Sequence, residues 1–423
     1  MRRILKLCLW ALPALALACL PLDGRAEFLI QPNDTVLLCG DSITEQKLYT
    51  LFVEEYLLMC QPTPGQRIVQ IGWSGEVVPG FLARLGSDVF PFHPTVATTC
   101  YGMNDGRYKA MEPATGDAYR DSLTKAVEAM KQNGVRAIVV GSPGAVDTKT
   151  FSRGVAPEVY NATLAALGDI ARDVATKEGV AFADVHGPML DAMAKAKAAY
   201  GADYAVAGAD GVHPGRNGHL AMAYAFLKGL GCDGAIGTIT VDFASGKAEG
   251  TPGQKIVSSA AGTVEVESAR YPFCYLGDPG KPEQTTAAMA KFVPFDAELN
   301  RYLLVVKGLP GAKAKVTWGG QSKEFAAAAL AQGVNLAAEF PANPFVDPFT
   351  KVEAAVWKQQ EFETMLVKSY LHNVAQYKTF AGPDAEALDR AGASGIAHDK
   401  ELFDAAVAAV VPVRHTIQIE PVP

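Results

Sequence analysis

The sequence predicts an α/β protein: a doubly wound parallel sheet of five strands with helices on both faces, then a smaller β-rich module with a helical extension. Three observations carry this. Five short apolar runs between residues 35 and 185 are rich in Val, Ile, Leu or Ala and do not alternate with polar residues. Strands buried on both faces read this way. Segments with helical spacing separate the runs, which implies crossover connections and a parallel sheet. After "LKGLGCDG" the texture changes to alternating residues punctuated by glycine turns.

Residues 1–26 stand apart. Arg2, Arg3 and Lys6 precede an apolar stretch from Leu7 to Leu20, and "DGRAEF" offers the small residues Gly24 and Ala26. The stretch is short for a membrane span, which needs about 20 residues. A secretory signal with mature start near Glu27 is expected, hence export and no integral membrane span. The competing pattern is a lipoprotein signal, "ALAC", with Cys19 acylated.

Residues 27–233 form the predicted α/β domain. "TVLLCGD" opens it, followed by Leu48, Leu51, Phe52, Tyr56 and Met59 at helical spacing. "RIVQIGW", "TVATTCYG", "RAIVVGSP" and "VAFADV" supply the other strands, and "SLTKAVEAMKQNG" a helix between them. Residues 236–345 carry "GTITVDFA", "GTVEVESA", "RYLLVVKGL" and "AKVTWGG", a β-rich module expected to be antiparallel. Residues 346–423 are expected to be a mainly helical C-terminal extension.

The chain is 49% hydrophobic and 20% charged, a soluble globular composition. Losing residues 1–26 removes four cationic side chains and one acidic, taking the formal net charge from −7 to −10. That disfavours nucleic acid or an anionic membrane as partner. Cys39, Cys60, Cys100, Cys232 and Cys274 would remain, an odd and widely spaced set without metal-ligand spacing. Walker, Rossmann and HExxH patterns are missing, and no motif sets an oligomeric state.

Acyl transfer needs a nucleophile, a base, a group to hold the base and donors for an oxyanion. Four segments at predicted strand ends supply them in order. "GDSIT" contributes Ser42, "GWSGE" Gly75, "YGMNDG" Asn104, and "DGVHPGRNGH" Asp210 and His213 just before a helix. Together these blocks resemble the SGNH hydrolases, the GDSL-type esterase superfamily, over roughly residues 34–230. The resemblance implies a flavodoxin-like, SGNH-type sheet and a serine esterase that needs no cofactor or metal. It makes Ser42 the nucleophile, His213 the general base and Asp210 its orienting acid. The N–H groups of Ser42 and Gly75 and the Asn104 amide would form the oxyanion hole. Gly75 is preferred to Gly72 because Ser-Gly followed by an acid matches the block better.

Simpler readings stand beside these. Ser42 or Thr44 could merely cap a helix, and capping is the favoured role for Asp41 and Asp105. His219 and His186 are read as structural, while His93, His372, His398 and His415 have no assigned role. Trp73 is placed to stack on a sugar ring, although packing is the commoner fate of a lone Trp. Arg107 and Tyr108 could rim a substrate site. "NAT" at 161–163 matches a glycosylation sequon.

The substrate expected is an acylated small molecule or polysaccharide. Exported SGNH members with short acyl specificity often deacetylate polysaccharides, which makes carbohydrate O-deacetylation the leading expectation. Alternatives are a lipase, lysophospholipase or thioesterase, O-acyl transfer to another sugar, and a carbohydrate-binding protein with an inactive hydrolase domain.

Overall fold

The computed structural model describes residues 27–260, 262–278 and 280–422. The expected signal, with Cys19, lies outside them. Strands β1 (Thr35–Gly40), β2 (Arg67–Gln70), β3 (Val96–Cys100), β4 (Ala137–Gly141) and β5 (Ala181–Ala183) form one sheet in the order β2-β1-β3-β4-β5. Every pairing in it is parallel. Its helices are α1 (Ser42–Glu45), α2 (Leu48–Glu55), α3 (Val78–Arg84), α4 (Pro113–Gln132), α5 (Pro157–Glu178), α6 (His186–Tyr200) and α7 (Arg216–Gly229).

The non-alternating runs are explained by burial on both sides. On β1, Val36 and Leu38 join Leu51, Phe52, Leu220 and Phe226 of α2 and α7 in one core. Leu37 and Cys39 face the opposite core with Phe81, Leu123 and Leu167 of α3, α4 and α5. Successive strand residues point to opposite faces, so both sets must be apolar. The five cysteines 39, 60, 100, 232 and 274 are free and buried.

Strands β6 (Ala235–Asp242), β7 (Lys247–Gly250), β8 (Gln254–Ala260), β9 (Thr263–Ser268), β10 (Arg301–Lys307), β11 (Lys313–Trp318), β12 (Gln321–Ala326), β13 (Val334–Asn335) and β14 (Val413–Val422) build the second module. They make a four-stranded sheet, β13-β10-β6-β7, and a five-stranded one, β12-β11-β14-β9-β8. The second is antiparallel throughout. In the first, β6 and β10 are parallel, contrary to the antiparallel expectation. Between them the chain leaves for β7, β8 and β9 and returns through short helices, so the connection is a crossover and not a hairpin.

Two long helices follow, α8 (Val346–Ser369) and α9 (Ala385–Ala409). The expectation of a helical extension ends at β14, which lies between β9 and β11 in mid-sheet. Its alternation, with Val413, His415, Ile417 and Ile419 buried, is the signature of a half-buried strand. The extension packs against the parallel-sheet domain. Gln360 of α8 takes the Thr50 hydroxyl at 2.8 Å and donates to Glu54 at 2.7 Å, both on α2. Gln359 donates to the Ile68 carbonyl at 3.0 Å, and Arg67 pairs with Asp399 of α9. Among the described residues, no helix is long and apolar enough to cross a membrane.

Candidate active site

β1 delivers its last residue, Gly40, into a crowded corner: a Cβ there would lie 2.0 Å from the Thr44 hydroxyl and 2.8 Å from the Cys100 carbonyl. Only glycine permits this turn. Asp41 caps α1 by accepting from the Ile43 N–H at 3.0 Å, and burial pushes its carboxyl up to about 7. Ser42 is the first residue of α1, so its N–H lacks an intrahelical acceptor.

The Ser42 hydroxyl lies 2.8 Å from His213 Nε2, and His213 Nδ1 lies 2.7 Å from Asp210 Oδ2. With Nδ1–H donating to the carboxylate, the Nε2 lone pair faces the serine O–H. Asp210 Oδ1 accepts from the backbone N–H groups of Val212 at 3.0 Å and His213 at 2.9 Å. Partial burial opposes ionisation of Asp210, yet the bonds from the His213 backbone and ring and from Val212 hold its carboxyl below the usual range. Gly211 makes the turn between them possible: its φ is +74° and a Cβ would lie 2.3 Å from the Phe151 backbone.

Gly75 is exposed, with φ +73° and open space where a Cβ would be. Its N–H has no hydrogen-bond partner among the described residues. Gly72, by contrast, is packed on α1, where a Cβ would lie 2.3 Å from the Glu45 nitrogen, and its N–H donates to Gln70 Oε1. Asn104 donates one amide proton to the Glu76 carbonyl at 3.0 Å and accepts from the Tyr108 hydroxyl at 3.2 Å. Its second amide proton remains to be given. Glu76 is anchored by Arg84 at 2.6 Å and by the Tyr101 hydroxyl at 2.7 Å.

The pattern of the GDSL-like Lipase/Acylhydrolase family matches residues 38–221. These residues form a GDSL-like hydrolase domain. The protein is a carboxylic ester hydrolase. Among solved structures, it is similar to BT4096, a gut microbial diltiazem-metabolizing enzyme, at 21% identity and TM-score 0.72 over 93% of this chain and 98% of that one. Axe2, an acetylxylan esterase from Geobacillus stearothermophilus, matches at 23% identity and TM-score 0.40, over 48% of this chain and 96% of that one. LAE5, an alpha/beta hydrolase from the metagenome of Lake Arreo in Spain, matches at 22% identity and TM-score 0.40, over 49% and 99%. No curated protein matches in sequence. The likeness to BT4096 is one of fold and takes in the second module.

Within the GDSL-like domain, the residues expected to rim the site have other neighbours. Trp73 does not present a bare ring: Arg84 sits 5.3 Å and Lys368 5.0 Å from its centroid, and the His372 ring is 4.5 Å away. Tyr108 is tied to Asn104 and accepts from Arg153 Nη1 at 3.3 Å. Arg107 and Tyr108 both have left-handed backbones, φ +53° and +55°. Arg107 is exposed and lines a concavity of about 190 Å³ with Val77, Pro79 and Glu112. Asp105 caps α3, accepting from Val78 at 2.9 Å and Gly102 at 3.0 Å.

His219 is buried and accepts the Tyr49 N–H on Nδ1 at 3.2 Å; burial drives its imidazole down to about 3. His186 is also buried, with Nδ1 3.0 Å from the Gly144 carbonyl. The Asn161 side chain of the sequon is held in α5 by both backbone groups of Val146, at 2.9 and 3.0 Å, which takes it out of reach of glycosylation.

Three side chains that contact the site or its flanking loop escaped sequence reasoning. Arg153 donates to Asp210 Oδ2 at 2.7 Å from an otherwise unmarked loop. Lys368 pairs with Glu45 at 2.7 Å, and His372 Nδ1 lies 3.0 Å from Asp88. Nothing local marks these side chains. The four left-handed or strand-end blocks were legible because their glycines and acids are dictated by the turn itself.

Proposed function

We propose that the protein is an exported serine esterase that removes short acyl groups, acetyl foremost, from carbohydrate. Ser42, 2.8 Å from His213 Nε2, is the observation that carries the reading. His213 takes the serine proton as Ser42 Oγ attacks the ester carbonyl. The oxyanion is met by the N–H groups of Ser42 and Gly75 and by Asn104 Nδ2. His213 then gives its proton to the leaving alcohol, leaving an acyl-enzyme. Water, deprotonated by the same imidazole, releases the acid. Asp210 remains ionised and stabilises the imidazolium throughout.

A polar leaving group suits the surroundings. Gln46 caps the end of α1, Asn104 and Tyr108 share the turn after β3, and Arg153 bonds the Asp210 carboxylate. Exported SGNH-type hydrolases with short acyl specificity often deacetylate polysaccharides, which supports a sugar ester, and the basic residues and apolar stretch within residues 2–20 support export.

Hydrolysis of aryl acetate against longer acyl esters, with product analysis on a panel of acetylated glycans, tests the substrate. Acetyl esters should turn over fastest, and preference for long chains would overturn the reading. Ser42→Ala should lower kcat by about 10⁴-fold or more, and Asn104→Ala by about 10²–10³-fold. Mass spectrometry of the protein recovered outside the cytoplasm should find a start near Glu27; a lipid on Cys19 would replace release with anchoring.

A further inference from the structure

We propose that helix α8 belongs to the catalytic apparatus, with Lys368 as a positioning residue that holds the loop of residues 72–76 in register with Ser42. This rests on the reading of Gly75 as an oxyanion donor. The loop leaves β2 with Ser74 and Gly75 exposed, so its conformation has to be imposed from outside. On one side Arg84 does so, donating to the Ile71 carbonyl at 2.9 Å and to Glu76.

The other side is held by a run of residues on α8 and just beyond it. Glu363 accepts the Gln70 N–H at 2.8 Å, and Thr364 accepts from Gln70 Nε2 at 3.3 Å. The same Gln70 side chain takes the Gly72 N–H on Oε1. One turn on, Lys368 grips Glu45 Oε1 at 2.7 Å, while Glu45 Oε2 accepts the Ser74 N–H. Lys368 and His372 also cover the Trp73 ring. Gln70, Gly72, Trp73 and Ser74 are therefore all tied to α8, directly or through one intermediary.

Glu45 is the decisive link because it closes α1, the helix that Ser42 opens. One of its oxygens holds the oxyanion loop and the other holds Lys368, so a single carboxylate fixes the distance between nucleophile and oxyanion donor. Half-burial opposes its charge, but the bonds from Lys368 and Ser74 keep the carboxyl below its usual range. Without the ammonium, a half-buried carboxylate turns outward to water and releases the Ser74 N–H. A donor displaced by about 1 Å can cost on the order of 10²-fold in rate while leaving ground-state binding largely intact.

The test uses the full chain and p-nitrophenyl acetate, with phenylboronic acid as a tetrahedral mimic that senses the oxyanion donors. Lys368→Met keeps the aliphatic stem on Trp73 and removes the charge. It should lower kcat by about tenfold or more, with KM changed less than about threefold and boronate affinity falling in parallel with kcat. The double variant with Glu45→Gln should be no worse than the more impaired single variant, and Lys368→Arg should restore most of the loss. A kcat for Lys368→Met within twofold of the parent, or losses that add in the double variant, would overturn the proposal. Thermal unfolding of each variant separates loop displacement from loss of fold, and the Lys368→Arg comparison serves if Lys368→Met unfolds. Unchanged turnover in Ser42→Ala would instead sink the underlying site reading, whatever Lys368 does.

Discussion

Asp210 Oδ2 serves two donors at once, the His213 ring and the Arg153 guanidinium, each at 2.7 Å. Arg153 also lies 5.3 Å over the Tyr108 ring and bonds its hydroxyl, which orients Asn104. One side chain thus touches both halves of the machinery. Replacing it with Met should lower kcat several-fold through the looser Asn104. An unchanged kcat would reduce Arg153 to a surface ion pair, since both partners are about 40% exposed in their side chains. Ser42, Asn104, Asp210 and His213 could be read from the chain because each sits in a turn whose glycine and acid are compulsory. Arg153 could not, because its partner lies 57 positions away and no local rule demands an arginine there.

At the level of elements, the five catalytic strands were legible because burial on both faces forbids polar residues. Helix α8 was legible only as a helix. Its buried Gln359, Gln360 and Glu363 look like a solvated face in sequence, yet they meet α2 and β2. Burial, with the nearby carboxylate of Asp399 adding to it, raises Glu54 to about 8, and Gln360 donates to it. The folded carboxyl holds its proton far above the unfolded value of 4.5, so the folded state binds the extra proton between pH 4.5 and about 8. Stability is thus fully present below the unfolded value and is lost as pH rises through the folded one. Glu54→Gln should make thermal unfolding less sensitive to pH across that window. It should recover on the order of 1–3 kcal/mol of the alkaline loss, and an equal pH slope in both proteins would refute it.

For the whole molecule, sequence texture located the second module but not its wiring. The parallel pair β6 and β10 was hidden because strand direction depends on where the intervening chain travels, not on the strands' own residues. Strand β14 was hidden behind two long helices, although its alternation is as regular as that of β9. Its register couples Val413–Gln418 to β9 and Trp318–Lys313 of β11 to Ile417–Val422. Residues 413–422 therefore complete the middle of a sheet whose other strands all precede the two long helices. During synthesis the parallel sheet has every strand it needs by residue 183, while the second module waits with β9 and β11 unpaired along facing edges. Once β11 and β12 have been made, both of these edges stay open until the final ten-residue strand enters between them, so β14 closes the sheet by covering the edges of β9 and β11 at once.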